Sequence, residues 1–200
     1  ATGFAGCTSL TSIQAPGATR IAYRAFLNCY ALTNIDLTPV QYVYGEAFAN
    51  CVSLSSVTLS DNLLYLAENA FYNTSLTEIT IPASIIRMDA TVFNKCARLA
   101  KADVFSPMVG DGCFTDCVSL KEIILHDGVQ TIGSDFFKNC TALERIVLPS
   151  TVTQIGHISA ISSENLVIEY AGNAEDFAKI QMDEQTAALL LPYVQFTVSE

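Results

Sequence analysis

The sequence predicts a right-handed α/β solenoid. Short parallel strands stack along a concave face, with short helical or 3₁₀ turns elsewhere and a small α+β module at the C-terminal end. Three observations predict it. Phenylalanine recurs at Phe4, Phe26, Phe48, Phe71, Phe93, Phe114 and Phe137, in steps of 22, 22, 23, 22, 21 and 23 residues. Three residues after six of these comes a cysteine (Cys7, Cys29, Cys51, Cys96, Cys117, Cys140), and Thr74 takes the remaining place. Aliphatic residues follow at fixed offsets, so one copy of the pattern can bury its apolar face only against the next copy.

Within a copy, the first element is a short extended segment carrying the residue five before each Phe: Ile21, Val43, Leu66, Met88, Val109 and Ile132. The Ala-Phe-x-x-Cys stretch that follows is too short for a full helix and suits one helical or 3₁₀ turn. The residue before each Phe is mostly small (Ala25, Ala47, Ala70, Val92, Cys113), with Phe136 as the exception. A Leu-x-x-Ile-x-Leu piece such as Leu120, Ile123 and Leu125 then alternates inward and outward, which is the pattern of a half-buried strand. In the first copy this aliphatic column ends at Ala15. Pro16, Pro39, Pro82 and Pro149 follow or nearly follow these strands, where a missing N–H ends the ladder. About seven copies occupy residues 1–157, each strand lying about 4.8 Å from the next. The pattern fails at Ala160, where a Phe is due, and residues 158–200 read as a capping module.

These residues resemble the BspA-like leucine-rich repeats of bacterial surface proteins. Ile132–Pro149 (IGSDFFKNCTALERIVLP) and Ala70–Pro82 (AFYNTSLTEITIP) carry the likeness most fully, and it extends over about residues 3–157. The tail, from Leu166 to Asn173 with Phe177, Ile180 and Val194–Val198, is similar to the closing module of such proteins, with Phe177 where Trp is usual. The resemblance implies a leucine-rich-repeat solenoid that is secreted or attached to a cell surface and serves in adhesion or host contact. It implies no catalytic machinery and no cofactor.

Composition narrows the alternatives. Half of the 200 residues are apolar and 15% are charged, which excludes a disordered acidic tail. A net charge of −10 disfavours nucleic acid and anionic membranes as partners. No apolar run reaches the roughly 18 residues that a membrane helix needs. The chain opens Ala1-Thr2-Gly3-Phe4, without an initiator Met or an apolar leader, and Phe4 and Cys7 begin in mid-copy. The expectation is a piece of a longer protein whose front edge, without a covering coil, can self-associate.

Six of the seven cysteines share one column and Cys113 sits in the small-residue column, so packing accounts for all of them as free buried thiols. Parallel Cβ vectors and an odd number argue against bridges, Cys113–Cys117 being the one pair worth testing. Cys113-x-x-x-Cys117 has no second ligand pair, and His126 and His157 read as exposed turn residues rather than metal ligands. No phosphate loop, nucleophile elbow or His-Glu-x-x-His is present. Glu175-Asp176 and Asp183-Glu184 fall at the starts of short helices, at Asn173 and Asp183, where carboxylates favour the helix dipole. The reading is a non-enzyme without cofactor or metal.

Two surfaces are candidates for contact. On the strand face the outward columns include Asp36, Glu78, Lys101, Asp103, Glu122, Ile124, Arg145 and Val147. Ile124 and Val147 form an apolar pair inside a charged rim, the composition of a modest interface for a host extracellular protein or glycan. Without a ligand the same face would make the chain a structural spacer. Six residues before each Phe, Arg20, Tyr42, Tyr65 and Arg87 define an outer ridge, where cation–π contacts stabilise the repeat itself.

Overall fold

A computed structural model describes residues 3–14 and 16–198; Ala15 of the aliphatic column lies outside them. Every strand pair in it is parallel, as the stacked-coil reading requires. On the strand face β1 (Ser12–Ile13) pairs with β3 (Asn34–Ile35). A larger sheet runs β6 (Glu78–Ile81), β8 (Lys101–Val104), β10 (Glu122–Leu125), β12 (Arg145–Leu148), β14 (Val167–Tyr170) and β15 (Val194–Phe196). A second rank carries the short segments before each Phe. It holds β2 (Arg20–Ile21), β4 (Tyr42–Val43), β5 (Tyr65–Leu66) and β7 (Arg87–Met88), then β9 (Met108–Val109), β11 (Thr131–Ile132) and β13 (Gln154–Ile155).

The repeat columns form the interior. Phe48, Phe71, Phe93 and Phe114 are fully buried, and the rings from Phe4 to Phe114 stack at centroid spacings of 5.2 to 5.8 Å with interplanar angles of 12° or less. The stack does not extend to Phe137 as the column predicts. Phe136 stands there in place of a small residue, and the two rings meet edge to face at 81°. Phe137 stays buried, but its neighbour takes the space into which its ring would align.

The cysteine column has a polar reason as well as a packing one. The thiols of Cys29, Cys51, Cys96, Cys117 and Cys140 each donate to the carbonyl of the Phe one coil back, at 3.0 to 3.2 Å. Four of those carbonyls, of Phe4, Phe26, Phe93 and Phe114, also accept the amide of their own coil's cysteine, as Phe26 does from Cys29 at 3.1 Å. A small residue with a weak donor therefore satisfies a buried acceptor without adding volume. Six of the seven thiols are buried as expected. Cys7 is exposed, because no coil lies over it.

The Phe-to-Cys stretch is not a helical or 3₁₀ segment, although it shares the 3₁₀ bond. Amides alternate in direction. Ala25, Leu27 and Cys29 bond back three residues, whereas Arg24, Phe26 and Asn28 bond to Gly45, Ala47 and Ala49 of the next coil. The alternation requires left-handed residues on either side of each Phe, such as Arg24 (φ 55°) and Asn28 (φ 61°). Asparagine tolerates that conformation, and its amide adds a ladder: Asn50 donates to Asn28, and Asn73 to Asn50, both at 2.9 Å. In the second rank, Gly133 is held against the coil before it, where a Cβ would lie 2.4 Å from the Asp111 amide nitrogen. That close approach explains the Ile-Gly of the repeat.

The strand face is interrupted once. No backbone hydrogen bond joins residues 56–59 to either neighbouring coil, although Ser55 still accepts from Thr77 at 3.2 Å. Side chains hold the backbone of Thr38 instead: Asp36 accepts its N–H, and Ser60 and Asn62 donate to its carbonyl. Such local bonds compete with a ladder. At the other end, α1 (Ala174–Phe177) and α2 (Glu184–Leu190) begin at the N-caps Asn173 and Asp183, whose side chains accept from Asp176 and Thr186. Among the described residues no helix is long and apolar enough to cross a membrane.

Burial holds the thiols of Cys51 and Cys140 up at about 12 and that of Cys96 at about 11, and raises Cys29, Cys113 and Cys117 for the same reason. Iodoacetamide at about pH 8, near the ordinary thiol value, should therefore label the native chain once, at Cys7, and the denatured chain seven times. Intact mass reads both counts, and a denatured count short by two would reveal a disulfide. Thr91 is a β-branched residue at φ 58°, and its buried hydroxyl has no partner. Thr91→Asn should raise stability by about 1 kcal/mol, read as a Tm gain of about 2–4 °C.

Candidate interaction surface

Outward side chains of the larger sheet line up across strands by register. One column runs Glu78, Lys101, Glu122, Arg145 and Val167; the next runs Thr80, Asp103, Ile124, Val147 and Glu169. The first alternates in charge, which is the favourable cross-strand order. Its side chains join into one chain of ion pairs. Lys101 Nζ lies 3.1 Å from Asp103 and 3.7 Å from Glu122, and Arg145 lies 2.6 Å from both Glu122 and Glu169. Arg145 grips Glu169 with two donors, Nε at 2.9 Å and Nη2 at 2.6 Å. The guanidinium hydrogen-bonded to Glu169 holds that carboxyl below the usual glutamate range.

Seven of the eight residues expected on this face are thus brought onto one sheet. Asp36 is not. It lies beside the separate β1–β3 pair, across the interrupted coil, and its carboxylate accepts the Thr38 amide at 2.9 Å. Ile124 and Val147 are half-buried rather than exposed, because they flank each other across β10 and β12. They form a low apolar floor between Asp103 and Glu169 in their own column.

His126 departs from its expected place as an exposed turn residue. It is half-buried, its ring stacks on Phe105 at 3.8 Å, and Nε2 lies 3.2 Å from Asp103. His157 is exposed and bonds Asp183 through Nδ1 at 3.0 Å. The aromatic step of Phe105 and His126 borders the strand face just beyond β8 and β10. The alternation of residues 101 and 103 along β8, continued one step past its end to 105, carries the signal that would have found it. A shallow cleft of about 300 Å³ opens where the ladder is broken, between Val57–Leu59 and Glu78–Thr80, with Asp103 at its side. Glu78 has no ion-pair partner among the described residues.

The second rank carries the ridge residues. Arg20, Tyr42, Tyr65 and Arg87 are register partners on β2, β4, β5 and β7. Arg20 lies 5.4 Å over Tyr42 and Arg87 5.4 Å over Tyr65, so each tyrosine is covered by an arginine of the adjoining coil. Tyr44 bridges the two tyrosines edge-on and in parallel. Tyr65 donates to Asp89, which also holds Arg87 at 2.8 Å. Burial and this carboxylate push the Tyr65 hydroxyl up to about 12. The ridge spends its charges on itself. Among the described residues no group of His, Cys, Asp and Glu is arranged to hold a metal ion.

Arg145→Met should cost about 1 kcal/mol, since it leaves the half-exposed Glu169 unpaired and Glu122 with Lys101 alone. The pH dependence follows from the lowered Glu169 carboxyl. Its stabilisation is complete above the ordinary glutamate value of about 4.3 and is lost as pH falls through the lowered value. Thermal melts in acid should show a shallower loss for Glu169→Gln than for the parent; identical acid limbs would remove the pair from the stability of the sheet.

Among solved structures the chain is similar to a leucine-rich repeat protein from Bacteroides ovatus, with a TM-score of 0.73 and 23% identity, over 89% of this chain and 52% of that one. It is also similar to one from Eubacterium ventriosum (TM-score 0.61, 19% identity, 78% and 45% covered) and to one from T. pallidum (TM-score 0.60, 25% identity, 84% of each). The chain spans about half the length of the Bacteroides protein. No curated protein matches it. Residues 1–100 and 107–170 match the BspA type leucine-rich repeat region in six copies. Over most of its length, then, the chain belongs to the BspA-type leucine-rich repeat family.

Proposed function

We propose that the chain is a non-enzymatic binding module of a secreted or cell-surface bacterial protein, and that it contacts a host extracellular protein or glycan through the strand face. In this reading residues 1–157 present the surface and residues 158–200 cap it. The observation that carries it is the uncovered sheet from β6 to β14. Its outward columns are aligned by register, and their side chains are exposed or half-buried. Side chains already fixed by neighbouring partners lose little freedom on binding, and preorganisation of that kind favours recognition. The half-buried Ile124 and Val147 supply the apolar centre, and Lys101, Glu122 and Arg145 supply the polar rim. Asp103, beside the shallow cleft, and the Phe105–His126 step extend the surface toward the interrupted coil. Membership of a surface-protein repeat family supports the location.

The test is a double substitution that keeps β-branching, Ile124→Thr with Val147→Thr, assayed against arrayed extracellular matrix proteins and glycans. The parent should bind at least one component, and the double variant should bind it about tenfold more weakly, the loss of about 1.4 kcal/mol expected of a central apolar contact. Its Tm should stay close to the parent's. Equal binding by the two proteins would move the contact off this face, and absence of binding by both would leave the chain as a spacer.

A further inference from the structure

A second surface lies at the opposite end from Phe4 and is independent of the strand face. Between α1, α2 and β15 opens an apolar groove of about 460 Å³, a size common for binding sites. Its walls include Phe177, Ile180, Met182, Ala187, Leu191 and Phe196. Phe177 and Ile180 face inward and are buried, whereas Leu191 is 55% and Phe196 37% exposed. Large apolar side chains left open beside a formed cavity mark a contact site rather than a completed core.

Charge selects what fits there. Residues 164–200 contain seven acids and one base, and of these acids Glu184 lines the groove, whereas Glu169, Asp176 and Asp183 are paired elsewhere. That base, Lys179, is held by Asp176 at 2.8 Å, so it neutralises a neighbour rather than the mouth. Glu184 lines the groove, and Glu175 sits on the adjoining α1. A fatty acid or anionic lipid would place its own negative headgroup against Glu184. A second copy docked cap to cap would oppose two surfaces of the same sign. A peptide with an apolar face and basic flanks satisfies both the cavity and the rim.

We propose that this groove binds a basic, apolar-faced peptide segment of a partner protein, with its apolar side chains against Phe177, Leu191 and Phe196 and its Lys or Arg residues toward Glu184 and Glu175. The groove lies among α1, α2 and β15, away from Ile124 and Val147, which leaves the strand face free for a separate ligand.

The experiment titrates the full chain into a fluorescein-labelled amphipathic Lys/Leu peptide and into a scrambled peptide of the same composition, and follows anisotropy. A Glu/Leu counterpart and palmitate serve as further probes. The Lys/Leu peptide should bind at one site and weaken as salt is added, while the scrambled peptide and the two anionic probes bind at least tenfold more weakly. Leu191→Ser should reduce binding about tenfold through loss of the apolar contact, and Glu184→Lys should reduce it while improving binding of the Glu/Leu peptide. Both positions are exposed, and unchanged melting curves confirm that each variant folds. Ile124→Thr with Val147→Thr should leave the titration unaltered, which separates this site from the strand face. Equal binding of the scrambled peptide, indifference to Leu191→Ser, a preference for palmitate, or no binding at all would each overturn the proposal.

Discussion

One constraint governs the molecule: a coil has no interior of its own. Its apolar residues point at the coil before and the coil after, so each must repeat its neighbour's geometry within the tolerance of a van der Waals contact. The phenyl stack shows how tight that is, with rings 5.2 to 5.8 Å apart over five successive steps. The thiol column adds a directional term. Each donation from a cysteine to the Phe carbonyl one coil back fixes both the height and the rotation of the coil that makes it. Departures from the repeat are consequently local. Phe136 turns one ring, and the coils on either side keep their ladders.

The interior was readable from the sequence because burial repeats. Phe, Cys, Leu and Ile return at fixed offsets, and from the second coil onward nearly all positions so marked are buried, whereas Phe4 and Cys7 of the first are exposed. Helix starts at Asn173 and Asp183 were readable from capping chemistry. The back of each coil was not. Arg24, Glu46, Asn69 and Thr91 share no side-chain type, yet all adopt the same left-handed backbone, because what repeats there is an amide direction and not a residue. The break at residues 56–59 was hidden for a similar reason. Val57 and Leu59 keep the strand alternation, and the side-chain bonds of Asp36, Ser60 and Asn62 to Thr38 beside the gap have no counterpart in the repeat columns.

The outward residues divide in the same way. Alternating charge at Glu78, Lys101, Glu122 and Arg145 is visible once the columns are drawn, and the register turns it into contacts. The final link to Glu169 is not visible, because the tail lacks the Phe and Cys by which it could be aligned. The structure supplies that alignment by adding β14 to the same sheet. The Tyr/Arg ridge and the strand face thus emerge as different kinds of surface. The ridge covers its tyrosines with arginines, while the strand face keeps an apolar floor at Ile124 and Val147 open to one side.

The missing rungs at residues 56–59 have a mechanical consequence. The ladder behind the third coil is intact, with Phe48 and Asn50 bonded to Ala70 and Tyr72, so the rod is tethered along its back and slit along its front at one level. Bending that opens the front at this level meets only the bonds of Ser75 to Leu54 and Thr77 to Ser55 ahead of the gap, whereas bending at any level from β6 to β14 must tear a full ladder. Fewer backbone bonds resist bending at that coil than at its neighbours, so it is where a flexural load on the rod would be taken up first.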